Sequence, residues 1–144
     1  MYSHILVPTD GSPASDAAIE HAIDLAGQYD ATLHALYVVD GAAYSTLEAG
    51  AEMVVDALEA EGEEATQRVA DAAESAGVSC EAVVTTGTAY RSIRDYVDEN
   101  DVDMIVMGTH GRKGLDRYLL GSVTERVVRT SDVPVLTVRQ PSDE

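Results

Sequence analysis

The chain has 144 residues, 45% of them hydrophobic, and 26 acidic against nine basic side chains give it a net charge of −17. This length predicts one domain over residues 1–144 with a single core. The charge argues against nucleic acid and anionic membranes as partners, because both would repel the protein. The sequence has no apolar run near the ~20 residues of a membrane span and no recognisable signal peptide, so we expect a cytoplasmic protein.

Lysine is nearly missing from the basic residues, since Lys113 is the single lysine, and acidic residues occur in every predicted helix. This composition resembles that of halophile proteins, whose self-repulsion is relieved by screening salt. An ordinary acidic protein is the alternative. The lone thiol, Cys80, can form neither a disulfide framework nor a redox pair, so we interpret it as a small core residue. The four histidines lack metal-ligand spacing, and no metal site is predicted.

The first part of the chain predicts two strands and a helix. Residues 3–8 form a short apolar run that ends at a proline, which indicates strand one. Helix one follows, with Ser12 as its N-cap and Pro13 at its first position. Residues 32–39 predict strand two.

The middle of the chain continues this alternation. Residues 42–50 are small and polar without a clear period, which indicates a loop and a candidate to close over a ligand. Apolar residues at steps of three and four then predict a long amphipathic helix that ends at Gly77. Residues 78–86 predict strand three, and helix three ends near Asn100.

A glycine-rich segment follows the next apolar run, which predicts a buried parallel strand four. Gly108 and Gly111 come after this strand, and Gly121 with Ser122 precedes the pattern of helix four. A helix that starts there offers free backbone amides and the positive end of its dipole, and Ser122 and Thr124 add hydroxyls. Together these groups predict a phosphate site.

Local charge agrees with that site. Residues 110–129 carry five basic against two acidic side chains, whereas the rest of the chain is strongly acidic, so an anion is drawn to this window. Residues 135–138 predict strand five, and residues 140–144 predict a mobile tail. Strands that alternate with helices indicate an α/β protein, a single open parallel sheet of five strands with helices on both faces.

The glycine spacing belongs to a longer pattern. Gly108, two residues, Gly111, nine residues and then Gly121-Ser122 match the G-x2-G-x9-G-[ST] ATP-binding signature of the universal stress protein family. The chain also resembles this family over residues 5–12, 38–40 and 131–136. The resemblance therefore spans nearly the whole chain.

The resemblance implies an adenine nucleotide alpha hydrolase-like fold with strand order 3-2-1-4-5. That order places strands one and four side by side at the switch point, where open α/β sheets bind their ligands. It also implies ATP as the ligand, with Mg held mainly through the phosphates. A homodimer is expected through residues 133–138, because an apolar edge strand seeks a partner and the family pairs it with its two-fold mate.

The resemblance also assigns individual residues to the nucleotide. Asp10 follows strand one and is suited to accept hydrogen bonds from the ribose hydroxyls or the adenine amine, although it could instead cap helix one. Four residues are implied as walls of the adenine pocket or, alternatively, as core: Pro8, Thr9, Val38 and Met107. The full predicted nucleotide site is Pro8, Thr9, Asp10, Val38, Met107, Gly108, His110, Gly111, Arg112, Gly121, Ser122, Val123 and Thr124.

Two functions stay open. The protein is either an ATP-binding stress-response module with little or no turnover, or a slow ATPase or autophosphorylating enzyme with Ser122 or Thr124 as the acceptor. The sequence has no P-loop motif, no dinucleotide fingerprint after strand one and no nucleophile elbow. It also offers no general base beside the phosphates, so no catalytic residue is predicted and the binding module is favoured.

Overall fold

The computed structural model describes residues 1–40, 51–109 and 117–139. The loop predicted at residues 42–50, the predicted tail and three predicted site residues (His110, Gly111, Arg112) lie outside the described residues. The strands are β1 His4–Pro8, β2 Thr32–Val39, β3 Cys80–Thr86, β4 Met104–Gly108 and β5 Val135–Val138. The helices are α1 Asp16–Tyr29, α2 Ala51–Ser75, α3 Ala89–Glu99 and α4 Arg117–Thr130.

The five strands form one parallel sheet in the order β3-β2-β1-β4-β5, as predicted. Successive side chains of a strand point to opposite faces. Ile5 and Val7 accordingly pack in a cluster with α1 and α2, whereas Leu6 packs in a second cluster with α3 and α4. Because β1 is covered on both faces, its apolar residues are contiguous rather than alternating.

The start of the first helix differs from the prediction. Ser12 does precede Pro13, but residues Pro13–Ser15 form a short 3-10 turn and α1 begins only at Asp16. The Ser12 side chain makes no cap hydrogen bond to a helix amide. Its hydroxyl instead donates to the carboxylate of Asp10 at 2.6 Å, because that acceptor lies only two residues away.

A buried histidine joins three elements at the amino-terminal end of the sheet. His34 is 2% exposed, and its Nδ1 lies 2.6 Å from the hydroxyl of Tyr96 in α3. Its Nε2 lies 3.0 Å from Nδ1 of His4 in β1. Burial lowers the pKa of His34, and the neighbouring Glu81 works against that shift. The two histidines are 30 residues apart in sequence, which is why their contact was not predicted.

The single cysteine lies on the edge strand β3. Cys80 is half-buried and packs against the core cluster beneath α1 and α2. Burial raises its pKa to about 11, which keeps the thiol protonated and unreactive. Among the described residues, no group of three potential ligands is placed to hold a metal, and no helix is both long and apolar enough to cross a membrane.

Candidate functional site

The carboxyl ends of β1 and β4 separate from each other. Their described pairing joins Ile5 with Met104 and Leu6 with Ile105, near the start of both strands. Beyond β1, the Thr9 amide donates to Leu36 of β2 at 2.8 Å. Beyond β4, the Thr109 amide donates to Val138 of β5 at 3.1 Å. The two segments therefore turn toward opposite neighbours, and a crevice opens between them at the topological switch point.

The loop after β1 is fixed by its own side chains. Asp10 Oδ1 accepts hydrogen bonds from the Ser12 amide at 3.0 Å and from the Ser12 hydroxyl at 2.6 Å. Thr9 Oγ1 accepts the Gly11 amide at 3.1 Å and lies 3.1 Å from the Ser15 hydroxyl. Gly11 has φ +80°, a conformation that favours glycine. The loop is thus preorganised, and Thr9 uses its buried hydroxyl to build it.

This geometry limits what Asp10 can do. Asp10 is half-buried. One of its carboxylate oxygens accepts the Ser12 amide within the turn, so it does not cap an amide of α1. The second oxygen, Oδ2, makes no hydrogen bond within the described part of the chain. Asp10 therefore combines a structural role in the loop with an oxygen that can accept a further bond.

The start of helix α4 corrects the sequence prediction. The helix begins at Arg117, so Gly121 and Ser122 lie inside it rather than at its first turn. Residues 117–120 include two leucines and an arginine, which favour helix, and an internal glycine costs only about 1 kcal/mol relative to alanine. The amides without an intrahelical partner belong to the first turn of a helix. They therefore lie over residues 117–120, one turn earlier than predicted.

Thr124 connects this helix to the end of β4. Its side chain is buried, and its hydroxyl donates to the carbonyl of Gly108 at 3.1 Å. The bond holds the second turn of α4 against the point where the chain leaves the sheet. Ser122, two residues earlier, is exposed. Of the two predicted hydroxyls, Thr124 is thus engaged with the backbone, and Ser122 lies at the surface.

The remaining described members of the predicted site differ in burial. Met107 is buried in the cluster formed with α3 and α4, and Val38 and Val123 pack against the same cluster while staying half-buried. Pro8 ends β1 and is half-buried. The structure brings Thr9, Asp10 and Gly108 to the crevice, whereas the Met107 side chain serves the core.

One residue near the loop was missed by the sequence analysis. Arg68 is the single basic residue of α2, and its Nη2 lies 3.5 Å from the carbonyl of Gly11. A groove of about 670 Å³ lies between residues 10–13 and helix α2, and its α2 side is lined by Arg68, Glu61 and Glu64. The only sequence signal was an arginine within an otherwise acidic helix.

Comparison with known proteins agrees with the geometry. The Universal stress protein family model matches residues 1–139. A universal stress protein of Methanocaldococcus jannaschii is 40% identical over 146 residues, covering 100% of this chain and 86% of the relative. Another, from Methanothermobacter thermautotrophicus, is 39% identical and covers 96% of this chain and 97% of the relative.

Solved structures show the same arrangement of strands and helices. The universal stress protein UspA from Lactobacillus plantarum superposes with a TM-score of 0.87 at 32% identity, covering 96% of this chain and 98% of its own. A universal stress protein in complex with cAMP superposes with a TM-score of 0.76 at 26% identity, covering 97% and 99%. With the family pattern, the fold and the relatives in agreement, the chain belongs to the universal stress protein family.

Proposed function

We propose that this protein binds ATP in the crevice between β1 and β4 and acts as a nucleotide-dependent stress-response module. The observation that carries the proposal is the divergence of Thr9 and Thr109 toward opposite strands, which opens the sheet where such folds bind ligands. The cAMP complex of a structural relative supports an adenine nucleotide as the ligand. We further infer a cytoplasmic protein, without nucleic acid or membrane partners, from a salt-rich cell.

The nucleoside would lie at the β1 end of the crevice. There Asp10 Oδ2 accepts a hydrogen bond from a ribose hydroxyl or the adenine amine while Oδ1 keeps the loop in shape. Pro8 and Val38 would contact the base, and the buried Met107 would support it from below. Because the loop is held before ligand binds, little ordering entropy opposes this contact.

The phosphates would lie at the β4 end. Amides of the first turn of α4 and of the signature segment supply donors, and the helix dipole favours the negative charge there. The hydroxyl of Ser122 and the guanidinium of Arg112 would add hydrogen bonds, and Mg would be held mainly through the phosphates. Thr124 would act indirectly, because its hydroxyl holds α4 against Gly108.

Slow hydrolysis or autophosphorylation is the second candidate function. Thr124 is a poor phosphate acceptor, because the residue is only 6% exposed and its hydroxyl already donates a hydrogen bond to the Gly108 carbonyl. Ser122 is exposed and remains the acceptor to test. Single-turnover measurement on bound ATP separates the functions: intact ATP after hours supports the module, and labelled Ser122 supports the autokinase.

Calorimetric titration with ATP tests the proposed site. Gly121→Val adds a branched side chain to the signature segment, directly beyond the first turn of α4 whose amides are proposed to bind phosphate, and we expect it to abolish measurable binding. Ser122→Ala removes one hydroxyl and should cost about 0.5–1.5 kcal/mol, roughly a two- to twelvefold weakening. Circular dichroism checks that the helix persists in both. Equal affinity of wild type and Gly121→Val would show that the signature is only structural here.

Asp10→Asn provides a matched test at the nucleoside end. Asparagine keeps one carbonyl oxygen for the Ser12 amide but loses the second acceptor. We therefore expect weaker ATP binding with an unchanged fold. Ser12→Ala is the control, because it removes the 2.6 Å bond to Asp10 without touching Oδ2.

We also propose a homodimer through β5, which lies at the sheet edge. The carbonyls of Pro134 and Val138 accept hydrogen bonds from β4, so the backbone groups of Val135 and Thr137 face outward. Antiparallel pairing with a two-fold mate would satisfy them. Thr137→Pro removes one outward donor and should give a monomer by light scattering. A monomeric wild type at high salt, unchanged by ATP, would refute the dimer.

A further inference from the structure

A second groove lies at the opposite end of the sheet from the crevice, between α3 and the carboxyl end of α4. Its volume is about 380 Å³, within the range of ~300–1,000 Å³ usual for small-molecule sites. Aliphatic side chains from α3, α4, β4 and the segments that enter β4 and β5 form its floor and walls. They are Ile93, Val97, Val102, Ile105, Val127 and Val133.

The floor is rigid. Ile93, Val102, Ile105 and Val127 are only 2–4% exposed and belong to the core cluster between the sheet and its two helices. Val97 and Val133 are half-buried and stand as walls. The groove is therefore preformed by packing that the fold needs in any case, and a ligand with an apolar body would cover the two walls.

The rim of the groove is acidic. Asp98, Asp101 and Asp132 line it, with Arg94 as the single basic lining residue. Within the described residues, none of these three carboxylates forms an ion pair with a basic side chain; Arg129 pairs with Glu125 instead. Arg94 lies one helical turn before Asp98 on α3, and its guanidinium carbon is 5.8 Å from the centroid of the Tyr90 ring.

Two of these carboxylates stand on fixed backbone. Asp101 has φ +54° and follows α3, where the Val102 amide donates to the Val97 carbonyl at 3.1 Å. Asp132 lies in a turn closed by Ser131, whose hydroxyl donates to the Val133 carbonyl at 2.8 Å and accepts the Val133 amide at 3.0 Å. The negative charges are therefore held beside an apolar surface at little further entropic cost.

We propose that this groove binds a small hydrophobic cation. The apolar body of an amine lies against Val97 and Val133, and its ammonium group meets the carboxylates of Asp98, Asp101 and Asp132. An anion of the same shape is repelled by the rim, and a small hydrophilic cation gains nothing from the valines. Both properties of the groove are needed to select the ligand.

Phenethylamine is the probe, and its effect is followed by NMR shifts of the full chain in ~1 M KCl, which suppresses unspecific attraction to the net charge. We expect shifts confined to α3, the end of α4 and the entry to β5. Hydrocinnamate, its anionic counterpart, should cause none. Methylamine, which lacks the apolar body, should bind at least about tenfold more weakly. Equal effects of the two amines would overturn the proposal.

Charge-matched variants separate a specific site from general attraction. Asp98→Asn with Asp132→Asn should weaken phenethylamine binding about tenfold, the loss typical of removing charged partners. Glu59→Gln with Glu63→Gln makes the same charge change on the outer face of α2 and should leave binding intact. All four side chains belong to exposed residues, so both proteins should fold. Equal loss in the two variants would also overturn the proposal.

Discussion

At Gly62, helix α2 packs closely against Tyr37 of β2. A Cβ atom added there would lie 2.6 Å from Cδ1 and 2.9 Å from Cγ of Tyr37 in β2. The Tyr37 ring is 3% exposed, and its hydroxyl donates to Glu61 Oε2 at 2.7 Å, so the ring is held at both ends. Gly62→Ala therefore forces either the helix or the buried ring to move.

Two opposing free-energy terms decide the result. Alanine in place of a helical glycine ordinarily stabilises by about 1 kcal/mol. Overpacking a close core contact costs about 1–3 kcal/mol, and a contact this short should lie at the upper end. We expect a net loss of about 1–2 kcal/mol in the free energy of unfolding. Gly27→Ala is the control, because its Cβ would meet Val78 Cγ2 at an ordinary 3.7 Å.

Urea unfolding at one fixed KCl concentration measures the difference. Gly27→Ala should raise the free energy of unfolding by about 0.5–1 kcal/mol, so the two variants should differ by about 2 kcal/mol. In a Tyr37→Leu background the obstacle is gone, and Gly62→Ala should no longer destabilise. If Gly62→Ala stabilises the wild type as much as Gly27→Ala does, the close-packing argument is wrong.

Further predictions concern protons, backbone conformation and salt. Burial lowers the pKa of His34 from its usual 6.5, so near and below that pH the unfolded chain binds more protons than the folded chain. The free energy of unfolding, measured by urea titration, should therefore fall between pH ~7.5 and ~5.5, and it should fall less in His34→Gln. Asp30 caps the end of α1 with φ +56°, a conformation that glycine adopts more easily. Asp30→Gly should therefore raise the free energy of unfolding by up to about 1 kcal/mol in the same assay, whereas Asp24→Gly inside α1 should lower it by a similar amount. The thermal midpoint should rise from ~0.1 to ~2 M KCl, and equal midpoints would contradict the halophile interpretation.

Hydrophobic runs predicted the central strands well because the middle of the sheet is buried on both faces. Leu6 and its neighbours could not be solvent-facing in any register, so their contiguous pattern was unambiguous. Strand order is not contained in such a pattern, and it came from the family resemblance. The start of α4 was placed one turn late because Gly121 was treated as a boundary, whereas the preceding residues favour helix enough to extend through it.

The candidate site was predicted only where side-chain type carries the chemistry. Asp10 could be identified as a carboxylate after a strand, but its bond to Ser12 depends on the turn that the loop adopts. Arg68 approaches Gly11 across 57 residues, a contact that only the packing of α2 creates. Any residue type except proline supplies a backbone amide, so the proposed phosphate site could be predicted only indirectly, from its glycines, its hydroxyl residues and the local positive charge.

The distribution of charge explains how so acidic a protein could accept a nucleotide. Glu59, Glu63 and Glu64 lie exposed on α2, so their repulsion acts mainly through solvent, where salt screens it over about 3 Å at 1 M. The proposed phosphate contacts are hydrogen bonds from amides at one helix start, at a contact distance of about 3 Å that leaves no room for a screening ion between donor and acceptor. Salt therefore removes the long-range repulsion of ATP more effectively than it weakens the short-range attraction, and an acidic surface is compatible with an anion site built from backbone.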